Sequence, residues 1–137
     1  MADTSAVDAA LVAKLLADST LMATMTGGVY FDEAPQGSDK FVIVSQMTHE
    51  DVYDERGSAY EVILYLVKAV ATSTSGADVK TAASRIHTIL QDGTLSPSGY
   101  SLMNMRRTER IRMTEVDDES DRRWQHRGGV YETWVQP

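Results

Sequence analysis

Apolar residues recur at helical spacing near the start and middle of the chain, and at strand spacing in five further stretches. Val7, Leu11 and Leu15, with Val12 and Leu16 beside them, form a stripe on one side of a helix that Ser5 can cap and whose first turn carries Asp8. A shorter helical turn over 20–25 stops at Gly27-Gly28, where positive backbone angles are easily adopted. Val29-Tyr30-Phe31 reads as a short strand and Ala34-Pro35-Gln36-Gly37 as a turn. The unbroken run Phe41-Val42-Ile43-Val44 opens a second strand over 41–48 that needs cover on both faces. Residues 49–58 are polar and acidic and read as a long hairpin connection. The third strand, 60–71, alternates two apolar sets: Val62, Leu64 and Leu66 against Ile63, Tyr65 and Val67. Neither face suits water, so this strand is central.

Thr74-Ser75-Gly76 caps a second helix with Val79, Ala82, Ala83, Ile86, Ile89 and Leu90 on its buried side and Gly93 as its stop. After a loop over 93–99, residues 100–116 alternate again. Met103, Met105, Ile111 and Met113 share one parity, and Asn104, Arg106, Thr108, Arg110 and Arg112 the other. Arg107 and Glu109 break the apolar parity, which fits either a bulge or a frayed middle there. A polar loop begins at Asp117, and 129–136 is the last strand. Helix, three strands, helix, two strands predict an α+β fold: one domain over 1–137, a mixed and largely antiparallel sheet of about five strands, and two main helices on one face. Helices on one side leave the other side of the two-sided central strand needing cover.

Charge adds a second pattern. The formal net charge is −7, yet seven of the nine arginines lie between 106 and 127. Residues 1–98 hold 13 acids and 6 Lys or Arg; residues 99–137 hold 7 of each, sorted into blocks. Arg106, Arg107, Arg110 and Arg112 stud the fourth strand, Glu115 to Asp121 is acidic, and Arg122, Arg123 and Arg127 follow. The acidic whole argues against a general nucleic-acid binder. The absence of cysteine excludes disulfides and thiolate chemistry. No apolar run reaches membrane-span length, and the first residues do not resemble a signal peptide, so the expectation is an intracellular protein with no membrane partner.

Chemical motifs are few. Gly27-Gly28 and Gly128-Gly129 are isolated pairs without a phosphate-loop pattern, and read as turn or helix-stop glycines. His49, His87 and His126 stand at no zinc spacing, and His87 falls beside the buried stripe of its helix. Glu50, Asp51, Asp54 and Glu55, and then Asp117, Asp118, Glu119 and Asp121, read as solvated loop acids with no motif to fix a catalytic or metal geometry. No catalytic residue, cofactor or metal is therefore expected; a small acidic hydrolase is the reading from a different class. The arginine strand has three readings: a solvated edge paired locally with Glu109 and Glu115, a subunit interface, or contact with DNA phosphates. The uncovered face of the central strand favours the interface. Seven methionines suit either adaptable packing surfaces or ordinary core.

The order and spacing of several segments resemble the tail-terminator, or tail-completion, proteins of long-tailed bacteriophages. They are Leu15-Leu16-Ala17-Asp18, Gly27-Gly28-Val29-Tyr30, Ala34-Pro35-Gln36-Gly37, Phe41-Val42-Ile43-Val44-Ser45, the long strand after Gly57-Ser58, the helix with Ala82, Ile86 and Leu90, and Arg127-Gly128-Gly129-Val130-Tyr131. The resemblance implies a virion structural protein without enzyme activity or cofactor. It would form a homo-oligomeric ring, a hexamer, on the head-proximal end of the tail tube, after assembly in the host cytoplasm. Its partners would be further copies of itself, the tail tube protein and the head–tail connector, with passive contact to DNA in the lumen. Another head–tail connector, a stopper or adaptor, is the alternative. Within this reading Arg106, Arg107, Arg110 and Arg112 are the expected ring-interface cations, and Asp117, Asp118, Glu119 and Asp121 their acceptors.

Overall fold

The computed structural model describes residues 5–72, 76–117, 119 and 122–137. In chain order the elements are α1 (Ser5–Leu16), α2 (Ser19–Thr24), β1 (Val29–Phe31), β2 (Lys40–Asp54), β3 (Gly57–Thr72), α3 (Ala77–Leu90), β4 (Ser101–Asp117) and β5 (Arg122–Gln136). The five strands form one sheet in the order β1-β2-β3-β5-β4, with β1 parallel to β2 and every other pair antiparallel. The expected fold class therefore holds. β3 is indeed the central strand, and α3 carries the chain from β3 across β5 to the far edge.

The helices bury the stripes their spacing predicted: Val7, Leu11 and Leu15 of α1, and Val79, Ala82, Ile86 and Leu90 of α3. They pack on the sheet face that presents Val42, Val44, Ile63, Tyr65, Val67, Tyr131 and Val135. Tyr65 is fully buried at the middle of this face, and its hydroxyl donates to Asp8 Oδ1 of α1, so the buried phenol also anchors a helix. The opposite face has no helix. A small cluster of Phe41, Ile43 and Val70 sits there with Tyr30, Ala34 and Trp124, and Tyr60 stacks on Trp134 at 5.1 Å. Val62, Leu64 and Leu66 are left half-buried, as the two-sided pattern implied.

Two stretches expected as loops are strand. Residues 49–54 continue β2, which turns into β3 through Glu55-Arg56; the Arg56 N–H donates to Asp54 Oδ1 at 2.7 Å, and Gly57 takes a φ of 120°. Residues 122–128 belong to β5, paired with β4 as far as Asp117 opposite Arg122. Polar residues persist as strand here because a paired neighbour satisfies their backbone, whatever the side chains prefer. Gly128-Gly129 is accordingly not a turn. The pair lies inside β5, where a Cβ on Gly128 would stand 2.1 Å from the Val67 carbonyl oxygen and one on Gly129 2.8 Å from both Arg107 Cδ and the Glu109 oxygen. Of the cap expected for the second helix, Thr74 and Ser75 lie outside the described residues; Gly76 is the N-cap and supplies no side-chain bond.

Asp18 joins α2 to α3. Its Oδ1 caps α2 by accepting from the Leu21 N–H at 2.8 Å, while Arg85 Nε and Nη2 donate to Oδ1 and Oδ2 at 3.0 and 2.7 Å. The Arg85 hydrogen bonds, opposed in part by burial and aided by the Leu21 N–H, hold the Asp18 carboxyl below its ordinary 3.8. A carboxyl depressed by folding stabilises the protein above its unfolded pKa, and that contribution fades as pH falls through the lower folded value. Asp18→Asn, which keeps a good cap, should therefore be less stable than wild type at neutral pH. The difference should close at acid pH below 3.8 in urea melts across a pH series. Gly128→Ala should lower stability at all pH values by about 1–3 kcal/mol, because a backbone carbonyl has to move.

Candidate functional site

β4 is an edge strand of 17 residues, bonded to β5 alone in the sheet. A long exposed edge can recruit another strand, and charged side chains are one way proteins restrain it. The register shift between Arg107 and Glu109 lies where the alternation is interrupted, and of the two readings left open there, a bulge and a frayed middle, the strand shows the bulge. It inserts Thr108 and switches the parity of everything beyond it. Before the bulge, Arg106 faces away from the helices, opposite Glu132, with Nη2 4.0 Å from Glu132 Oε1. Arg107 points to the helix side opposite Tyr131, and after the bulge Arg110 and Arg112 fall on that side too, opposite Gly129 and Arg127.

The four expected cations are thus divided. Arg107, Arg110 and Arg112 join Arg127 of β5 and Lys80 and His87 of α3 around a groove of about 570 Å³ between α3 and the edge. Arg106 lies on the other face. Among the described residues none of Arg107, Arg110, Arg112, Arg127 and Lys80 has an acidic ion-pair partner. The local pairs considered for Arg110 and Arg112 do not form: Glu109 is past the bulge on the opposite face, and Glu115 lies 2.9 Å from His126 there. In a chain of net charge −7 this is a concentrated positive surface. Arg127, Lys80 and His87 were not among the expected interface residues: the β4–β5 register sets Arg127 opposite Arg112, and α3 crossing over β5 brings Lys80 and His87 to the edge.

Local structure fixes the groove from beneath. Gln91, just past the end of α3, accepts through Oε1 from the Arg107 N–H at 2.9 Å, and the Asp92 N–H donates to the Met105 carbonyl at 2.9 Å. The bare Gly129 lets the Arg107 stem lie across β5. His87 Nδ1 is 3.2 Å from the Tyr131 hydroxyl, so its half-buried structural placement on the helix agrees with the sequence pattern. Burial, reinforced by Arg107 and Arg110, lowers its pKa below 6.5, with Asp92 opposing. Burial also raises the Tyr131 phenol to about 12, against the pull of Arg107.

Of the expected acceptors, Asp117 and Glu119 lie where β4 ends. Asp117 closes β4, and its Oδ1 accepts from the Glu119 N–H at 3.1 Å; Asp118 and Asp121 lie outside the described residues. Asp117 is five residues beyond Arg112 on one strand, roughly 17 Å at strand rise, too far to neutralise the groove of its own chain. The surface can hold an extended acidic or phosphate-bearing partner through forked arginine contacts. The one cluster of metal-type donors among the described residues, His49, Asp51 and Glu61, is on β2 and β3, on the far side of β5 from β4.

Residues 9–136 match the family described as Tail completion protein gp17, and the chain belongs to that family. In overall structure it is similar to a chain from the virion of a native gene transfer agent particle, with a TM-score of 0.73 and 20% identity over 98% of this chain and 100% of that one. A second solved chain is similar at a TM-score of 0.62 and 13% identity, over 97% and 96% of the two chains. No curated protein sequence matches. The family assignment supports a structural protein of phage tail completion, located in the virion tail, and points away from an enzyme.

An anion seated in the groove would favour the imidazolium of His87. Proton-monitored NMR titration should place His87 below 6.5 in the free protein, and a short poly-glutamate peptide should raise that value. An unmoved His87 at saturating peptide would show that acidic chains do not dock on this face.

Proposed function

We propose that the protein terminates the tail tube as a homo-oligomeric ring at its head-proximal end, with the head connector meeting the ring's outer face. The family match over residues 9–136 carries this reading. The β4 edge supplies the contact. Its groove of Arg107, Arg110, Arg112 and Arg127 donates to acids of the next copy, with Asp117, Asp118, Glu119 and Asp121 as the acceptors. Opposite charges sorted to separate places on one chain suit a head-to-tail contact, in which one patch meets a different patch and the rotation closes. Six copies is the expected number. The exposed methionines Met47, Met103 and Met113 fit a surface that packs on assembly. Phosphates of DNA in the lumen are a second possible anion for exposed arginines such as Arg106, and the net acidity of the chain limits any such contact to a passive one.

Native mass spectrometry should detect a closed oligomer, alone or with tail-tube protein, and raising the salt should dissociate it. Arg110→Glu with Arg112→Glu should leave a folded monomer. A monomer at every concentration in the wild type, with and without tube protein, would sink the ring. In virions lacking the protein, terminator action predicts over-long tubes; tails of normal length beside unattached heads would instead assign it to a stopper or adaptor.

A further inference from the structure

The distal half of the β2–β3 hairpin places three metal-type donors on the helix side of the sheet. The register sets Asp51 opposite Glu61 and His49 opposite Ile63, so all three share the face that Ile63 buries. One donor atom from each lies within 4.8 Å of the others, and His49 Nε2 is 2.8 Å from Glu61 Oε1. Two carboxylates directly across a strand pair repel each other. Glu61 is also only 1% exposed, and its Oε2 and the Asp51 Oδ1 are both buried with no hydrogen-bond partner among the described residues. Burial without a partner is the least favourable setting for a carboxylate oxygen. The imidazole can answer one oxygen of Glu61 and leaves the others unanswered.

A divalent cation answers all of them. One imidazole nitrogen and two carboxylates, with no sulfur, suit a first-row transition ion; Mg²⁺ and Ca²⁺ favour all-oxygen shells and Cu⁺ favours sulfur. Zn²⁺ takes His and Asp or Glu donors in a four-coordinate shell, and water can complete three protein ligands. His49 is partly open to solvent, which gives the ion and that water a way in. We propose that His49, Asp51 and Glu61 form a binding site for a divalent transition cation, Zn²⁺ fitting best. The ion clips β2 to β3 near their turn and relieves the Asp51–Glu61 opposition. This site is independent of the arginine groove and of the ring reading.

The test is calorimetric titration of ZnCl₂ into tag-free protein stripped with chelator and desalted. One equivalent should bind and raise the melting temperature. Glu61→Gln and His49→Ala should each weaken uptake by at least about tenfold, the loss that even supporting groups of a metal site commonly cause. Glu50→Gln, on the other face of β2, should leave it unchanged. Co²⁺ in place of Zn²⁺ should give visible absorption that Glu61→Gln removes. The exposed position of His49 lets His49→Ala carry the test even if Glu61→Gln does not fold. No saturable uptake by the folded wild type, or uptake that His49→Ala leaves intact, would overturn the assignment.

Discussion

β3 is hydrogen-bonded on both sides, to β2 and to β5, and carries apolar side chains on both faces. Everything else in the fold answers to that arrangement. The helix side is closed by three helices, which place Leu11, Leu15, Leu21 and Ile86 over Ile63, Tyr65 and Val67. Because α1, α2 and α3 meet there, α3 has to cross β5, and this crossing makes the chain's second sheet edge a long strand facing a helix. On the β5 side the backbones come so close that Gly128 has no room for a side chain. The groove next to the edge therefore follows from how the centre of the sheet is packed.

The bulge at Thr108 then decides which charges share that groove. In an unbroken strand Arg106, Arg110 and Arg112 would stand together and Arg107 would oppose them. One inserted residue reverses this. Arg107 joins Arg110 and Arg112 beneath α3, while Arg106 is left beside Glu132. Mutual repulsion among the gathered cations is held in place by packing: Gln91 grips the Arg107 backbone and Gly129 makes room for its stem. Burial first, and then Arg107 and Arg110, hold the His87 pKa below 6.5, so the gathered charges add to an effect that burial leads. A like-charged cluster of this kind on an acidic protein is a concentrated local field, and it is what the proposed ring contact would use.

Most of the fold was legible because it rests on period and on punctuation. The stripes of α1 and α3 and the two-sided β3 showed in the spacing of apolar residues, and so did the irregularity at Arg107 to Glu109, though not which kind it was. Residues 49–54 and 122–128 did not, and for one reason: their side chains are polar while their backbones are paired with neighbours far along the chain. Gly128-Gly129 misled in the same way, since close strand approach and a turn both call for glycine. Reading 49–58 as a loop also hid the His49–Asp51–Glu61 cluster. Those residues are separated by up to 12 positions and meet only through the β2–β3 register. The groove was half visible, because its arginines cluster in sequence, whereas Lys80 and His87 arrive by the crossover.

The distribution of surface types bears on how such a subunit could assemble. Apart from the helix-free face with its half-buried Val62, Leu64 and Leu66, the exposed large apolar side chains among the described residues are scattered. Met47 and Met103 stand out at two separate bulges, Met113 and Val116 on β4, and Leu16 and Phe31 near α1. Each is small, and the arginine groove is hydrated and screened by salt. One contact of this kind between two copies would be weak. In a closed ring each subunit makes the contact twice, and opening the ring means breaking it against the high effective concentration of a tethered neighbour. Weak pairwise contact and stable closure are then compatible. Under the proposed ring, the lack of an acidic partner for these cations among the described residues matters, because a groove neutralised by its own Glu109 and Glu115 would have no charge left to offer a neighbour.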